Sequence, residues 1–253
     1  MQNELVFLNS MQKIISNFSS NKKQLAVLID PDKTSGNNLF NTIAIANKAQ
    51  VDFFLVGGSL LLHDSLESCI ATIKSNSTIP VILFPGNALH INAKADAVLF
   101  LSLISGRNAD LLIGQHVQAA PLLKQANIET ISTGYILIDG GKPTTVSYIS
   151  NTTPIPADKP EIAAATALAG EMLGLKCIYL EAGSGAQNPV STATISAVKK
   201  QITVPLMVGG GIRNADAAIA ACNAGADIIV IGNATEKSPD LITEIATAIH
   251  SLK

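Results

Sequence analysis

The sequence alternates short apolar runs with longer helical stretches, and this alternation constrains the fold more than any other feature. Such alternation is typical of repeated βα units around a parallel sheet. Nearly continuous apolar runs are expected of strands that are buried on both faces. The eight predicted strands are Leu25 to Asp30, Phe53 to Val56, Val81 to Phe84, Ala97 to Leu103, Glu129 to Ile138, Cys177 to Glu181, Leu206 to Val208 and Ile228 to Ile231.

Eight βα units in a chain of 253 residues predict a single α/β domain over residues 1–253, a (β/α)₈ or TIM barrel. Residues 1–20 contain a candidate extra helix that would cover the bottom of the barrel. The other predicted helices are Asn38 to Lys48, Leu60 to Lys74, Ala109 to Lys124, Glu161 to Leu173, Val190 to Lys200, Ala215 to Asn223 and Asp240 to Leu252.

Two connections between the predicted strands have unusual lengths. Only twelve residues separate Phe84 from Ala97, about the least that a crossover helix and its two loops need. We therefore expect the third helix to be shortened or missing, which would open a groove on the barrel's flank. Asp139 to Lys159, after strand five, is too long for an ordinary βα loop, and long loops at this face usually belong to the active site.

Composition and charge exclude several classes of function. A net charge of −2 provides no basic surface for nucleic acid. Three widely spaced cysteines do not match a disulfide framework or a structural zinc site. No apolar run reaches the roughly 18 residues of a membrane span, and the first residues do not resemble a secretion signal. We expect a cytoplasmic protein, with peripheral membrane contact left open.

Two glycine-rich turns follow the last two predicted strands: V-G-G-G-I-R at 208–213 and I-G-N-A at 231–234. Glycine lets the backbone approach a ligand closely and turn its N–H groups toward an anion. For one such run alone, a tight turn without a ligand is an equal alternative. Two runs on adjacent βα units indicate the phosphate site that barrels commonly build after strands seven and eight.

Carboxylates stand at the ends of strands six and one. Glu181 ends strand six, and Tyr179 shares its face of that strand, so the pair could orient or deprotonate a substrate hydroxyl. Asp30 ends strand one in L-I-D-P-D-K, and Ser59 follows strand two, so their oxygens could hold Mg²⁺. The alternatives are a structural glutamate and a turn with capping aspartates.

Basic residues near the same face are candidate contacts for a diphosphate. Lys142 and Lys159 belong to the long loop after strand five, and Arg107 follows strand four. Arginine binds phosphate through a planar fork of donors. Solvated surface positions are the alternative for all three residues.

Five motifs in this order, L-I-D-P-D-K, F-L-V-G-G-S-L, Y-L-E-A-G-S-G-A, V-G-G-G-I and I-G-N-A, resemble those of the geranylgeranylglyceryl phosphate synthase family. The resemblance runs from about Leu25 to Lys253. It implies a Mg²⁺-dependent prenyltransferase in phospholipid biosynthesis. Such an enzyme transfers a geranylgeranyl or similar polyprenyl group from its diphosphate to sn-glycerol 1-phosphate. The products are an ether-lipid precursor and pyrophosphate.

The branch of the family follows from Leu28 and the A-G-S-G turn. Another branch has a lysine at the position of Leu28, where it contacts glycerol phosphate. Leucine cannot make that contact, and together with the A-G-S-G turn it resembles the second branch, found in some archaea and in Bacteroidetes-like bacteria. The resemblance also implies a homo-oligomer and a barrel that lacks a regular third helix.

The resemblance implies a role for individual residues. Asp30 and Ser59 match the Mg²⁺ ligands, and Glu181 is the candidate catalytic residue, which would orient the glycerol hydroxyl and help to remove its proton. The prenyl chain would lie in a dry groove whose depth sets the donor's length. Candidate lining residues of that groove are Phe84, Phe100 and Leu103. The substrate-binding residues implied are Tyr179, Leu180, Glu181, Ala182, Gly183, Ser184, Gly185, Gly210, Gly211, Gly232 and Asn233.

Two other functions fit parts of the pattern. A phosphate-binding isomerase or lyase of the tryptophan or histidine pathways would need a second acid or base facing Glu181. Asp30 could supply it, but the Gly-Ser pair after strand two and the short third connection would then have no purpose. A non-catalytic sensor of phosphometabolites would bind its ligand without turnover.

Overall fold

The computed structural model describes residues 13–18 and 22–252, in which eight parallel strands close into a barrel. Each strand pairs with the next one in sequence, and the eighth returns to the first, with Leu25 opposite Ile229. The predicted (β/α)₈ barrel is therefore confirmed. The strands are β1 Gln24–Ile29, β2 Phe53–Gly57, β3 Val81–Phe84, β4 Ala97–Leu103, β5 Glu129–Leu137, β6 Cys177–Glu181, β7 Leu206–Gly209 and β8 Ile228–Ile231.

Helices surround the barrel, and a short π-helix, Asp110–Gly114, precedes the one that follows β4. The α-helices are α1 Lys13–Phe18, α2 Gly36–Lys48, α3 Leu66–Asn76, α4 Gln115–Ala126, α5 Thr145–Ile149, α6 Pro160–Met172, α7 Thr192–Lys199, α8 Ala215–Asn223, α9 Asn233–Lys237 and α10 Leu241–His250.

The helix after β2 begins six residues later than its predicted start at Leu60, so that prediction is wrong. The cause is a carboxylate that lies 30 residues away in sequence from Leu62. Asp32 accepts hydrogen bonds from the Leu62 backbone N–H at 2.5 Å and from the Ser65 hydroxyl at 3.0 Å. These bonds hold the segment as a loop at the mouth of the barrel.

The connection between β3 and β4 contains no helix, so the prediction of a shortened or missing third helix is confirmed. Local turns satisfy part of its backbone instead. The side chain of Asn87 accepts the Leu89 N–H at 2.7 Å, and that of Asn92 accepts the Lys94 N–H at 2.9 Å. Asparagine favours such turns because its side chain hydrogen-bonds the backbone two residues on.

The long segment after β5 folds over the rim of the barrel. It contains α5, which begins with a capping box between Thr144 and Ser147. Ile155 then returns to form an isolated parallel bridge with Ile138, next to the end of β5. A proline at the first position of α6 ends the segment, since proline needs no intrahelical N–H partner there.

Helix α1 closes the bottom of the barrel. Its Phe18 is 1% exposed and packs edge-on against Phe53 with ring centroids 5.1 Å apart. Glu129 from β5 accepts the backbone N–H groups of Ile14 and Ile15 at 3.0 and 2.9 Å, which satisfies donors that a helix start leaves unpaired. Of the N-terminal helix predicted within residues 1–20, the structure has a helix over residues 13–18, and the rest lies outside the described residues.

The three cysteines are buried in the packed layers of the barrel. Burial raises the pKa of Cys69 and of Cys222 to about 12, and it raises the pKa of Cys177 as well. Reactive thiols need a lowered pKa, so these side chains behave as small apolar groups. Across the described helices, none combines the length and the apolar character required to cross a membrane.

Replacement of Phe18 tests the closing role of α1. Phe18→Ala should lower the free energy of unfolding by about 3–5 kcal/mol, because a buried ring leaves a cavity behind. Phe40, which is 50% exposed, provides the matched control, and Phe40→Ala should have a far smaller effect. Urea unfolding of the three proteins measures the difference. Equal losses for both variants would show that α1 does not seal the barrel.

Candidate active site

The carboxyl ends of the strands surround a cavity of about 440 Å³ at the mouth of the barrel. Parallel strands all end at the same rim, so residues far apart in sequence meet there. The cavity brings together most of the residues predicted for the site. Those that line it are Asp30, Ser59, Tyr179, Glu181, Ser184, Gly185, Gly210, Gly211, Gly232 and Asn233.

Three residues of the predicted segment after β6 do not line this cavity. Leu180 alternates with Tyr179 and Glu181 along the strand, so its side chain packs in the layer between strands and helices. Ala182 packs in the same layer, and its N–H donates to the Gly209 carbonyl at 3.1 Å. The N–H of Gly183 donates to Glu181 Oε1 at 2.7 Å. Ala182 and Gly183 therefore support the site through their backbone.

Glu181 is an ionisable group inside the barrel, with only 5% of its surface exposed. Burial raises the pKa of Glu181, and this effect is partly offset by the neighbouring Tyr179 phenol and the Gly183 N–H. A carboxylate that holds a proton more tightly than usual is a better base near neutral pH. Its position and its pKa both suit the transfer of a proton in the cavity.

Tyr179 lies beside Glu181 and carries a buried hydroxyl. This hydroxyl makes no hydrogen bond of good geometry to any of the residues described, although it lies close enough to the Glu181 carboxylate to lower the pKa of that group. Burial, followed by the charge of Glu181, raises the pKa of Tyr179 well above its ordinary value, so the hydroxyl keeps its proton. Tyrosine hydroxyls usually find a partner when buried, and this one lines the cavity, so it can donate to a ligand there.

The glycines at the end of β7 allow the backbone there to approach Glu181 on the neighbouring strand, β6. A Cβ atom on Gly209 would lie 3.1 Å from Glu181 Oε2. Gly210 has φ +81°, and a Cβ there would collide with Glu181 Oε1 and lie 2.8 Å from the backbone nitrogens of Ala182 and Gly183. The glycine run therefore accommodates the buried carboxylate and also brings backbone to the cavity wall.

Side chains tie the turns around the cavity to one another. The Ser184 hydroxyl donates to Asn233 Oδ1 at 2.8 Å, which joins the turns after β6 and β8. Arg213, after β7, donates to the carbonyl of Gln187 at 3.1 Å and also to that of Ala186. These contacts fix the glycine turns relative to one another.

At the end of β1, Asp30 is paired with a lysine that the sequence motifs did not point out. Lys33 Nζ lies 2.6 Å from Asp30 Oδ2, and Asp30 Oδ1 accepts the Asp32 N–H at 3.1 Å. Burial acts to lower the pKa of Lys33, but Asp30, Glu236 and Asp32 together leave this pKa above its ordinary value. In the D-P-D-K motif, the spacing of three residues between Asp30 and Lys33 was the feature from which this pairing could have been predicted.

The side chain of Asp32 serves the loop after β2. Hydrogen bonds, first among them that from the Leu62 N–H, lower the pKa of the Asp32 carboxyl. Within the described residues, no three His, Cys, Asp or Glu side chains gather into a metal-binding cluster. Mg²⁺ is nevertheless commonly held by one or two protein carboxylates together with substrate phosphates. Asp30 Oδ2 already pairs with the ammonium group of Lys33. Together with Ser59, Asp30 offers oxygen ligands of the kind that Mg²⁺ prefers.

A second cavity, of about 280 Å³, lies on the flank of the barrel where the third helix is missing. It is lined mainly by apolar side chains, including Phe84, Phe100 and Leu103 as predicted. Ala119 and Leu123 of α4 also line it. Gly58, Ser59, Phe84, Tyr135 and Val146 line both cavities, so the flank groove opens into the barrel mouth beside Asp30 and Glu181.

The flank groove also contains a histidine that sequence reasoning missed. His116 is 7% exposed, its Nε2 lies 3.0 Å from the Ser102 hydroxyl, and its ring meets that of Phe100 edge-on at 4.4 Å. Burial lowers the pKa of His116, which favours the neutral form that an apolar groove requires. The sequence did not point to Tyr135 either, because the pattern of an apolar strand does not show which of its side chains line a cavity.

The basic residues predicted near a diphosphate lie elsewhere. Lys142, Lys159 and Arg107 are exposed, and none of them lines either cavity. Arg107 donates instead to the Ser105 carbonyl at 3.0 Å. The lysine and arginine that do line the mouth are Lys33 and Arg213.

Comparison with known proteins identifies relatives over nearly the whole chain. A model of the PcrB family matches residues 19–249. The geranylgeranylglyceryl phosphate synthase of Chitinophaga pinensis is 53% identical over 243 residues, which cover 94% of this chain and 96% of the relative. The enzyme of the same name from Pyrococcus horikoshii is 41% identical over 235 residues, 92% of each chain. The resemblance drawn from the motifs is therefore confirmed.

A solved structure shares the same barrel. The (S)-3-O-geranylgeranylglyceryl phosphate synthase of Thermoplasma acidophilum, in complex with its substrate sn-glycerol-1-phosphate, superimposes with a TM-score of 0.89. It is 33% identical in sequence, and the match covers 94% of this chain and 99% of that one.

Substitution of Gly210 tests the glycine turn. Gly210→Ala should weaken the binding of inorganic phosphate at least about tenfold, a loss of about 1.4 kcal/mol, because the new methyl group collides with Glu181 and distorts the turn. Gly174 also has positive φ, +92°, but nothing lies within 4 Å of its Cβ position, so Gly174→Ala controls for backbone strain alone. Isothermal titration calorimetry measures both. Equal affinities in the two variants would contradict this role of Gly210.

Proposed function

The chain belongs to the PcrB family, and on that premise we propose that it is a prenyltransferase that acts on sn-glycerol 1-phosphate. The donor is geranylgeranyl diphosphate or a similar polyprenyl diphosphate, and the products are an ether-lipid precursor and pyrophosphate. One observation carries the proposal. A buried carboxylate, Glu181, lies in a polar glycine-lined cavity that is continuous with an apolar groove. The two compartments match a small phosphorylated acceptor and a long hydrocarbon donor.

The acceptor's phosphate is assigned to the glycine turns. Backbone N–H groups at Gly210, Gly211 and Gly232 would face it, with Asn233 beside them. Support comes from the T. acidophilum relative, whose structure contains sn-glycerol-1-phosphate. The hydroxyl of Tyr179 gives the acceptor a further hydrogen-bond donor at the cavity wall.

Glu181 is assigned the proton transfer. As the bond between the prenyl carbon and the diphosphate oxygen breaks, its electron pair leaves with pyrophosphate. The glycerol hydroxyl oxygen forms the new C–O bond, and its proton passes to a carboxylate oxygen of Glu181. The hydrogen bond from Gly183 holds the carboxylate in a fixed orientation, which preserves the geometry that this step needs.

The prenyl chain is assigned to the flank groove. Each buried CH₂ contributes about 0.8 kcal/mol, so contacts with Phe84, Phe100 and Leu103 would dominate the affinity for the donor. Tyr135 and Phe84 line the junction with the mouth, where their rings lie 5.8 Å apart. At that junction the first carbon of the chain would meet the acceptor.

Mg²⁺ is the cofactor that we propose for the mouth of the barrel. Asp30 and Ser59 would hold it, as both line the cavity close to the end of the groove. When bound, Mg²⁺ neutralises the charge that develops on the leaving diphosphate. The protein's own contribution is the position of the Asp30 oxygens, one of which is fixed by the Asp32 N–H.

We further propose that the protein works in the cytoplasm as a homo-oligomer. Large apolar side chains on the outer surface support an assembly, because they would otherwise remain in water. Ile113 and Val117, near the start of α4, are 61% and 66% exposed. Met172 and Leu173, at the end of α6, are 78% and 81% exposed.

A direct assay tests the proposed activity. Purified protein with labelled sn-glycerol 1-phosphate, geranylgeranyl diphosphate and Mg²⁺ should yield a labelled product that partitions into organic solvent. EDTA in place of Mg²⁺ should abolish the product, and unlabelled pyrophosphate should accumulate in step with it. Absence of an organic-soluble product under all metal conditions would refute the function.

Glu181→Gln tests the assigned base. The variant should turn over about 10²- to 10⁴-fold more slowly, because an amide cannot accept the proton. In the native enzyme kcat should fall as pH drops through the pKa of Glu181, and burial places this fall at a higher pH than for an exposed glutamate. The variant should lose this acidic limb. Profiles of kcat against pH that are the same for both proteins would show that another group takes the proton.

A further inference from the structure

We infer that Lys33 exchanges partners during the catalytic cycle, leaving Asp30 when Mg²⁺ binds there and pairing with the diphosphate that arrives with the metal. The inference rests on the proposed function, since it takes Mg²⁺ and a prenyl diphosphate as the ligands of this side of the mouth. It assigns Lys33 a role that the motif resemblance did not imply.

The starting point is the geometry of the ion pair. Lys33 Nζ lies 2.6 Å from Asp30 Oδ2, and the Asp30 side chain is only 16% exposed. The other oxygen, Oδ1, already accepts the Asp32 N–H at 3.1 Å. A divalent cation that binds Asp30 through Oδ2 therefore competes with the ammonium group for that oxygen.

Electrostatic repulsion disfavours the binding of both cations to that oxygen at close range. Charges of the same sign within 4–6 Å disfavour one another strongly, the more so in a partly buried site. Mg²⁺ also demands near-ideal octahedral geometry, which a neighbouring ammonium group would obstruct. We therefore expect metal binding at Asp30 to displace Lys33.

The residues near Lys33 limit where it can go. The oxygens of Asp32 accept the Leu62 N–H and the Ser65 hydroxyl, so this carboxylate is already engaged in holding the loop. The Lys33 side chain is 50% exposed and lines the mouth, and its flexible four-carbon stem lets the ammonium group move across the cavity wall. A diphosphate bound to the metal would bring the strongest new negative charge within its reach.

Arg213 is a poor substitute for this role. Both of its terminal nitrogens donate to backbone carbonyls, those of Ala186 and Gln187, which fix the turn after β6. Movement toward the diphosphate would break that support on the acceptor side of the cavity. Of the lysine and the arginine that line the mouth, Lys33 is therefore the one suited to follow the donor.

Cooperative binding is the consequence of this exchange. Metal alone must break the ion pair and leave Lys33 only the weaker attraction of Glu236 and Asp32, so it binds weakly. Metal with diphosphate restores a partner to the lysine, so each ligand strengthens the binding of the other by the same factor. The enzyme would thereby avoid holding Mg²⁺ firmly before its donor is present.

The experiment measures metal and pyrophosphate binding rather than turnover. Mn²⁺ replaces Mg²⁺ because both accept carboxylate ligands and free Mn²⁺ is counted directly by electron paramagnetic resonance. The full-length wild type, Lys33→Met, Lys33→Arg and Lys94→Met are titrated with Mn²⁺, with and without pyrophosphate. Lys94→Met is the matched control, because it removes the same charge from an exposed ion pair with Glu67 at 2.7 Å.

Lys33→Met should bind Mn²⁺ alone about three- to fivefold more tightly than the wild type, the range expected for loss of a half-exposed ion pair. It should bind pyrophosphate in the presence of Mn²⁺ more weakly by a similar factor. Lys33→Arg should behave nearly as the wild type, and so should Lys94→Met. Mn²⁺ affinity that is unchanged or weaker in Lys33→Met, or unchanged pyrophosphate affinity, would overturn the inference.

Asp30→Asn separates this inference from the proposed function. It should abolish Mn²⁺ binding at the site, and retained affinity would overturn the inference by placing the metal elsewhere. The prenyl transfer assay on the wild type decides the function independently. If the wild type forms the ether product but Lys33→Met does not change the affinity for Mn²⁺, the proposed function stands and the exchange of partners by Lys33 is refuted.

Discussion

Closure of the barrel is the constraint on which the site depends. Because β8 pairs with β1, the turn after the last strand meets residues near the start of the chain, and a Cβ atom on Gly232 would lie 3.4 Å from that of Leu28. All eight strands are parallel, so their carboxyl ends share one rim. Asp30 and Glu181, separated by about three fifths of the sequence, line one cavity for this reason. Helix α1 at the other end keeps the barrel interior closed below them.

The burial of Glu181 organises the acceptor side of that rim. A carboxylate inside a barrel is costly unless it is hydrogen-bonded, and here the Gly183 N–H supplies the bond. The same carboxylate leaves no room for a side chain on Gly210, and the Tyr179 hydroxyl leaves none on Gly209, so glycine is required on the neighbouring strand. One buried group thus connects a raised pKa, a fixed proton acceptor and the close-packed turn that we assign to phosphate. The end of β1 is built differently, around the ion pair of Asp30 and Lys33, which, as we propose, a metal ion disrupts.

The missing third helix exposes part of the barrel's flank. Most of a barrel's flank is covered by its helices, and a residue such as Phe100 would then be wholly buried. The direct connection from β3 to β4 leaves an apolar groove that reaches the mouth. Such an exposed apolar surface is unfavourable in water, so its retention indicates a hydrophobic ligand. The groove is therefore the feature that favours a prenyl donor over the substrates of other phosphate-binding barrels.

The sequence by itself determined the eight strands, the missing third helix and the residues Asp30, Ser59, Tyr179 and Glu181 at one rim. These follow from local patterns, since buried parallel strands require continuous apolar runs and every strand end projects to the same face. Only the tertiary structure decided the late start of α3, the pairing of Lys33, the engagement of Arg213 and the positions of Tyr135 and His116. Each of these depends on which partner lies across the cavity or the loop. Side-chain hydrogen bonds and ion pairs act over a few ångströms in space, whatever the distance along the chain, so no local pattern of residues encodes them.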